Sequence, residues 1–413
     1  MTKPLFKYTT VAFTLFFLNT FSQTSSSMSS SPYSLYGLGV TNSFSSGKTN
    51  SLGKTGLALK SETEINNLNP ASYANIGGNS FMFDLGINFG TELFTNYNGT
   101  QTALNANFSN IALAFAITKR SGLGITLSPY TNVGYDISNI ESPIEGSSQT
   151  FISDAYGNGG LSELNLNYGY SINKKLNLGF DANFRFGQIQ QTETNYISEN
   201  TLLQIEDENN YSGLQLGLGA QYDINSNTSF GTIISFPATL SGNQTTTVSQ
   251  NYADDDISKN KLDSFKLPLE IGLGIKTNLN DNFLLTTDYK REFWSNTNQS
   301  DYFGDYINRD VFGIGLQYLT LKSNFKYLNT IQYRAGINFD NGNLLIDNTR
   351  LNNYGINFGL GLPINQNSNS MINLNYSYGQ RGTVSNGLIK ENYHVLSINF
   401  SLEGIWFVKR KYN

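Results

Sequence analysis

The stretch 79-NSFMFDLGINFG-90 decides the fold, because large apolar side chains alternate in it with polar or small ones. Phe81, Phe83 and Leu85 fall on one face, and Asp84 falls on the other. Successive side chains of a β-strand leave opposite faces of the sheet, so a repeat of two residues is typical of a strand. The stretch is therefore predicted to be a strand with one apolar and one polar face.

Fourteen segments with the same repeat follow one another along the chain. Each has about the length that a tilted strand needs to cross a membrane, and their number is even, as is usual in transmembrane barrels. The segments lie near residues 79–90, 105–118, 122–137, 161–173, 176–189, 212–223, 228–240, 262–277, 282–294, 310–319, 329–339, 351–362, 371–380 and 393–402.

The connections between these segments differ in length with their position. After odd-numbered segments they tend to be long and polar, as at residues 138–160 and 190–211. After even-numbered segments most are short, namely residues 119–121, 173–175, 224–227 and 278–281. Transmembrane barrels have short periplasmic turns and longer outer loops, whereas a soluble β-sandwich has no reason to sort its loops in this way. We therefore predict an all-β fold, a 14-stranded antiparallel transmembrane β-barrel.

The two faces of each strand then have the opposite polarity to a soluble sheet. In a soluble protein Asp181, Arg185 and Glu270 would face water, and the phenylalanine stripe would face a core. In a membrane barrel the apolar face meets lipid and the polar face lines a wet interior.

The composition excludes several classes of function. The 413 residues include no Cys and a single His, His394, so a disulfide framework, a cysteine nucleophile and a transition-metal site are not expected. The net charge of −5 argues against a nucleic-acid partner, which needs a basic face. We expect no enzymatic activity, no cofactor and no bound metal.

The N-terminus has the features of an exported protein. Lys3 and Lys7 precede an apolar core at residues 11–18, and small residues follow, so residues 1–22 are predicted to be a signal peptide. The Ser-rich residues 23–31 are predicted to be a flexible leader. No other segment approaches eighteen consecutive apolar residues, which leaves a barrel as the way to hold the exported chain in a membrane. At the other end an aromatic pair, Trp406 and Phe407, closes the last strand and suits a membrane interface.

Three stretches of the mature chain resemble the FadL-type outer-membrane transporters of long-chain fatty acids and other hydrophobic compounds. They are residues 50–81, with the motif Asn69, Pro70 and Ala71 just before the first strand, residues 267–296, and residues 372–382. The resemblance is loose, as for a divergent member. It implies an N-terminal hatch at residues 32–78, a barrel at residues 79–407 and a short tail at residues 408–413. Glycines in the strand patterns would give room between hatch and wall.

The resemblance also implies lateral release of substrate through a gap at an inward kink of the third strand. That strand carries Pro129 in its middle, and a mid-strand proline belongs at a bulge or an unpaired edge. Ser128, Pro129 and Tyr130 are therefore the candidate lateral gate. The alternative is that Pro129 ends the strand where it leaves the membrane.

Charged side chains on the inward face are the candidate lumen site. By parity the inward cations are Arg185, Lys276, Lys290 and Arg334, and Glu270 is an inward anion. They either recognise a substrate or pair with neighbouring carboxylates, including Asp181 and Asp288, to neutralise the lumen. The apolar hatch residues either line a pocket or pack the plug; these are Leu35, Tyr36, Leu52 and Leu57.

Two acidic runs, at residues 206–208 and 253–256, fall in the expected outer loops. They are either solvated or bind divalent cations that bridge lipopolysaccharide.

These patterns predict a multi-pass barrel in the outer membrane of a Gram-negative envelope, in contact with lipid and lipopolysaccharide. The function that the resemblance implies is passive uptake of a hydrophobic, fatty-acid-like molecule. The alternative is a FadL-like subunit of a protein secretion or surface-assembly complex, of the PorV type in type IX secretion, which acts by binding envelope proteins.

Overall fold

The computed structural model describes residues 31–42, 47–143, 150–198, 201–251, 254–301, 304–319, 327–364 and 369–405. The predicted signal peptide, the leader up to residue 30, the aromatic pair and the tail lie outside the described residues.

The described part contains twenty-two strands. Seventeen of them build the barrel wall as fourteen strands, because three wall strands are interrupted and count as two segments each. In chain order the strands are β1 (Val40–Thr41), β2 (Ser80–Asn96), β3 (Gly99–Thr118), β4 (Ser121–Pro129), β5 (Thr131–Pro143), β6 (Thr150–Ser171), β7 (Leu176–Ser198), β8 (Thr201–Asp223), β9 (Thr228–Ser235), β10 (Ala238–Gln250), β11 (Asp256–Leu267), β12 (Glu270–Asn278), β13 (Phe283–Glu292), β14 (Ser300–Asp301), β15 (Gly304–Tyr306), β16 (Arg309–Leu319), β17 (Gln332–Asp340), β18 (Leu344–Ile346), β19 (Thr349–Arg350), β20 (Asn353–Pro363), β21 (Met371–Arg381) and β22 (Lys390–Ile405).

The wall strands are antiparallel neighbours, and the sheet closes on itself. The last strand, β22, pairs with the first wall strand, β2, from Ser80↔Ile405 to Thr95↔Lys390. The interrupted strands are β4 with β5, β9 with β10, and β11 with β12. The remaining strands β14, β15, β18 and β19 form a small separate sheet at the extracellular end. The predicted 14-stranded antiparallel barrel is confirmed.

Helices are short in this fold. The only α-helix among the described residues, α1, is Gly47–Ser51. The 3-10 helices are Pro32–Leu35, Pro70–Asn75, Trp294–Thr297, Tyr327–Thr330 and Ser385–Gly387. None of the helices in the described ranges is long and apolar enough to span a membrane.

The barrel has the inverted polarity that the alternation predicts. On β7, Phe180 and Phe184 are 44 % and 43 % exposed on the outer face, whereas Asp181 and Arg185 are each only 8 % exposed and face the lumen. An apolar outer band with a polar interior is the surface that a lipid bilayer requires of a barrel.

The short connections are turns, as predicted. The prediction of two long loops at residues 138–160 and 190–211 is wrong. The chain there is strand: β7 runs to Ser198, β8 starts at Thr201, and these two residues pair. The acidic run at residues 206–208 accordingly lies within β8, and not in a loop. Above the membrane both faces of a strand meet water, so the alternation that marks a spanning strand is lost.

These extensions form a tall sheet on one side of the barrel. It consists of the outer parts of β5, β6, β7, β8, β10 and β11, paired in that order. Phe186 is the last exposed aromatic of the β7 stripe before the run of polar residues that starts at Gln188. From Phe186 to Ser198 the strand rises by roughly 40 Å along its own axis.

The hatch segment, residues 31–42 and 47–78, lies inside the barrel and packs its backbone directly on glycines of the wall. A Cβ atom on Gly179 would lie 2.2 Å from the Ala71 nitrogen, and one on Gly219 would lie 2.1 Å from the Asn69 side chain. Further wall glycines contact the hatch in the same way, namely Gly122, Gly124, Gly169, Gly231, Gly274, Gly313, Gly315, Gly336 and Gly359. The expectation that strand glycines make room for the hatch is confirmed.

We expect Gly179→Ala to displace the 3-10 turn of the hatch from the wall. The added methyl group would meet backbone atoms of Pro70 and Ala71, which cannot rotate away, so the docked state should lose about 3 kcal/mol or more. Faster hydrogen exchange over residues 47–78 and higher permeability to small solutes would show the displacement. Gly404→Ala is the matched control, because nothing lies within 4 Å of its added Cβ. Equal behaviour of both variants would mean that the close contact does not hold the hatch.

Candidate functional site

The Asn-Pro-Ala motif attaches the hatch to the wall. Asn69 is fully buried and caps the 3-10 turn, since its Oδ1 accepts a hydrogen bond from the Ala71 nitrogen at 3.0 Å. Its Nδ2 faces three carbonyl oxygens, those of Leu57 at 2.8 Å, Ala220 at 3.1 Å and Thr232 at 3.3 Å. One amide thus joins the hatch turn to another part of the hatch and to strands β8 and β9. Pro70 keeps Asn69 extended, with φ −144° and ψ 118°.

A buried ion cluster holds the other side of the hatch. Glu64 is 3 % exposed and lies 3.3 Å from Arg334 on β17 and 3.8 Å from Lys48. Arg334 also donates to the Asn373 Oδ1 atom at 2.6 Å. Burial would raise the pKa of Glu64, but the Arg334 guanidinium and the Lys48 ammonium outweigh it and hold that pKa below its ordinary value. Arg334 therefore serves as the counter-ion of a hatch carboxylate.

The third wall strand is interrupted at Tyr130, between β4 and β5. On one side β4 pairs with β6 up to Pro129↔Ser162. On the other side its pairing with β3 ends at Ile111↔Leu127. Residues 99–110 of β3 and all of β5 are described, and no pair joins them. The wall is therefore open between these two strands, on the extracellular side of the Ile111↔Leu127 pair.

Strand β6 accommodates the interruption with two adjacent glycines. Gly159 and Gly160 have φ values of +107° and +139°, which residues other than glycine rarely adopt. A Cβ on Gly160 would lie 2.3 Å from the carbonyl oxygen of Thr131. β5 can approach β6 here only because Gly160 has no side chain, whereas a Cβ on Gly159 would lie 2.3 Å from the Gln188 carbonyl oxygen of β7.

The hatch occupies the inner edge that the interruption leaves on β5. Strand β1 pairs with it through Val40↔Asn132 and Thr41↔Thr131. The Asn42 backbone nitrogen donates to the Tyr130 carbonyl at 2.8 Å, and its Nδ2 donates to the Pro129 carbonyl at 3.3 Å. The hatch thus supplies hydrogen bonds to the interrupted strand from Pro129 to Asn132.

A mainly polar cavity of about 270 Å³ lies in the lumen beside the interruption. Its charged groups are mostly paired. Arg185 donates to Glu163 at 2.8 Å and stacks at 4.0 Å on the Tyr130 ring, and Lys290 lies 3.4 Å from Glu270. Arg309 bridges to Glu292 and Asp340.

The predicted lumen residues reach this cavity with two exceptions, Lys276 and Arg334. Arg185, Lys290 and Glu270 line it, together with the candidate gate residues Ser128, Pro129 and Tyr130. Arg334 lies instead in the ion cluster with Glu64. Arg185 pairs with Glu163 and not with Asp181, and Asp288 accepts hydrogen bonds from two hatch backbone amides.

Several functional residues were missed in the sequence. Arg309 and Asp340 stand at the outer ends of their strands, where the alternation gives no sign of an inward face. Lys54 lines the cavity from the hatch, where burial lowers its pKa to about 8. The Lys54 backbone is left-handed, with φ 62°, which is an unusual conformation for a residue other than glycine. This conformation marks Lys54 in the structure and is not visible in the sequence.

The apolar hatch residues pack against other side chains. Leu35 contacts a buried cluster that includes Leu38, Val133 and Trp294, and Tyr36 contacts a second cluster around Leu344. Leu52 and Leu57 are at most 1 % exposed against the glycines of the wall. Across the described ranges, no three His, Asp or Glu side chains are grouped so that they could hold a metal ion.

The interrupted, hatch-containing barrel defines the class: the protein is an outer-membrane β-barrel with the fold that FadL-type proteins share. It belongs to the BamG family, whose family model matches residues 1–413. No protein of curated function matches the sequence.

Solved structures with the same fold include a monoaromatic hydrocarbon channel, a toluene transporter and a FadL homologue. CymD, a monoaromatic hydrocarbon channel, is 17 % identical with a TM-score of 0.58, over 86 % of this chain and 97 % of its own. The Ralstonia pickettii toluene transporter TbuX is 16 % identical with a TM-score of 0.56, over 86 % and 97 %. A Pseudomonas aeruginosa FadL homologue is 12 % identical with a TM-score of 0.59, over 89 % and 98 %. At these identities the likeness establishes the fold.

We expect Glu64→Gln to weaken the docking of the hatch. The change leaves Arg334, itself 4 % exposed, without its buried counter-ion, and breaking a buried pair costs about 3 kcal/mol or more. The loss of docking free energy is measured by urea unfolding of the purified barrel, with hydrogen exchange of residues 47–78 as the readout. Glu62→Gln is the control, because Glu62 is an exposed residue of the same segment. A Glu64 variant as stable as the Glu62 variant would contradict the role of the ion cluster.

Proposed function

We propose that the protein passes a small hydrophobic or amphiphilic molecule across the outer membrane by diffusion, and that the molecule leaves the lumen sideways between β3 and β5. The observation that carries this proposal is the open wall at the interrupted third strand. A gap in a barrel wall leaves the backbone groups of its strand edges without ladder partners at a cost, so a gap that persists needs a reason. The named functions of CymD and TbuX support a hydrocarbon-like molecule.

The hatch has two roles in this proposal. Its turn at Pro70–Asn75 and its ion cluster close the periplasmic half of the lumen. Strand β1 stands between the lumen cavity and the opening, since Thr41 and Asn42 line both the cavity of about 270 Å³ and a smaller one behind the opening. A molecule that moves from the lumen to the opening must therefore displace β1 from β5.

A disulfide between β1 and β5 should stop uptake. Thr41 and Thr131 are directly paired, and such pairs have the Cα separation that a disulfide needs. The chain has no other Cys, so Thr41→Cys with Thr131→Cys can form only this bond within one molecule. Uptake of a labelled long-chain fatty acid and of toluene, measured in cells, should fall to the level of a deletion strain on oxidation and return on reduction.

A second disulfide serves as the control for this experiment. Thr194 and Gln204 are paired high on the β7–β8 hairpin, away from the opening. Oxidation of Thr194→Cys with Gln204→Cys should leave uptake unchanged. Uptake that persists when β1 is locked would overturn lateral exit past β1.

The alternative function, binding of envelope proteins as an assembly subunit, is favoured by a different observation. The sheet formed by the outer parts of β5 to β8, β10 and β11 rises far above the membrane on one side and carries polar residues on both faces, which transport through the wall does not need. The lumen cavity is mainly polar, which suits this function. The family name, BamG, indicates association with the Bam proteins.

Shortening this sheet should separate the two functions. Gln190 pairs with Glu208, so residues 191–207 can be replaced by an Asn-Gly turn that closes the hairpin. If assembly is the function, stable partners recovered in mild detergent should be lost from this variant while the barrel still inserts. If transport is the function, uptake should be retained, and recovery of the same partners would count against assembly through this sheet.

A further inference from the structure

A small cavity directly behind the wall opening has a distinct chemistry. Its volume is about 60 Å³, room for about four water molecules. Six asparagines line it: Asn42, Asn88, Asn105, Asn107, Asn132 and Asn353. We refer to it as the asparagine cavity.

The asparagine cavity is bounded by both edges of the opening. Asn105 and Asn107 come from β3, whose outer part has no second strand partner in the described wall, and Asn132 comes from β5. Asn88 comes from β2, on the far side of β3. A group that enters between β3 and β5 from the membrane therefore meets amide side chains first, and not an apolar wall.

Two of these asparagines have unused hydrogen-bonding atoms. Asn88 is 3 % exposed, and neither its Nδ2 nor its Oδ1 has a protein partner. Asn132 is 9 % exposed, and its Oδ1 likewise has none. A buried polar group without a partner costs about 1–3 kcal/mol, so these positions are unfavourable unless something else supplies the bonds.

The unused atoms of these two asparagines indicate the chemistry of a ligand. They are a donor, Asn88 Nδ2, and two acceptors, the Oδ1 atoms of Asn88 and Asn132. A carboxylate accepts only and an ammonium group donates only, and a hydrocarbon does neither. Hydroxyl groups both donate and accept, so they match all three atoms.

The charges around the cavity are balanced, which suits an uncharged ligand. Arg381 lies 3.2 Å from Glu391, and Lys54 faces the cavity from the hatch with Glu92 on the wall opposite. Asn105 donates to Glu92 at 3.2 Å. No charge of one sign dominates, so the cavity does not select an ion.

We propose that the asparagine cavity binds the hydroxyl-rich edge of a sugar, presented by a glycolipid of the outer leaflet whose acyl chains remain in the membrane. The proposal rests on the proposed function in one respect, the opening between β3 and β5 as the route of entry. The rest of the sugar ring lies in the opening itself, because the cavity holds only a few hydroxyl groups.

The test measures binding at equilibrium and does not depend on transport. The full barrel is placed in lipid nanodiscs that contain a diglucosyl diacylglycerol and a phosphatidylglycerol with the same acyl chains, and native mass spectrometry counts the lipids retained. The glycolipid should be retained about tenfold over its share in the disc, the factor that one or two hydrogen bonds supply. A free disaccharide added to discs that hold the barrel but no glycolipid distinguishes a soluble sugar from a glycolipid as the source, and retention of either supports the site.

Variants connect the binding to the cavity. Asn88→Leu keeps the volume and removes the amide, so the enrichment should disappear, and Asn132→Leu should reduce it if the first variant does not insert. Asn375→Leu is the matched control, because Asn375 is also buried with both amide atoms unused but does not line the cavity. No enrichment in the wild type, or enrichment that survives Asn88→Leu, would overturn the proposal.

The outcome is separable from that of the proposed function. If sugar binding fails but the β1–β5 disulfide still blocks uptake of fatty acid or toluene, the lateral route stands and the ligand class is wrong. If sugar binding holds but the disulfide has no effect on uptake, the cavity is a glycolipid site on a barrel that does not transport by this route.

Discussion

Backbone N–H and C=O groups inside a bilayer have no water to bond, and this constraint shapes the rest of the molecule. It forces the chain into a closed antiparallel sheet in which β22 returns to β2. It also makes the interruption at Tyr130 conspicuous, because β4 leaves β3 after Leu127. On one side of the interruption the hatch supplies hydrogen bonds, because Asn42 donates to the carbonyl oxygens of Pro129 and Tyr130. The outer edge of β3 remains without a partner strand.

The inverted polarity of the barrel explains why the hatch looks as it does. A wall that presents its apolar residues to lipid must present polar ones to the lumen, so a segment inside the lumen is held by hydrogen bonds and ion pairs. Glu64 and Asn69 supply these contacts at two places. Glycines of the wall let the hatch backbone come close enough for van der Waals contact, which replaces the hydrophobic core of a soluble domain.

The sequence predicted the barrel better than it predicted the placement of individual residues. The alternation identified each spanning strand, because one face of such a strand must be apolar along its whole length. It failed above the membrane, where β7 and β8 continue for about ten more residues each with water available to both faces. Parity assigned Arg185 and Lys290 to the inward face, and both line the lumen cavity. It did not predict their partners, since Glu163 and not Asp181 meets Arg185.

The sequence by itself determined the strand number, the face that meets lipid and the polar character of the hatch, because each follows from a local repeat or a local composition. Only the tertiary structure decided that Glu64 meets Arg334, that β1 covers the edge of β5, and that Asn88 and Asn132 face one small cavity behind an open wall. These residues are separated by many positions in the chain. Their proximity depends on the closure of the barrel and on the path of the hatch through it, which no local pattern encodes.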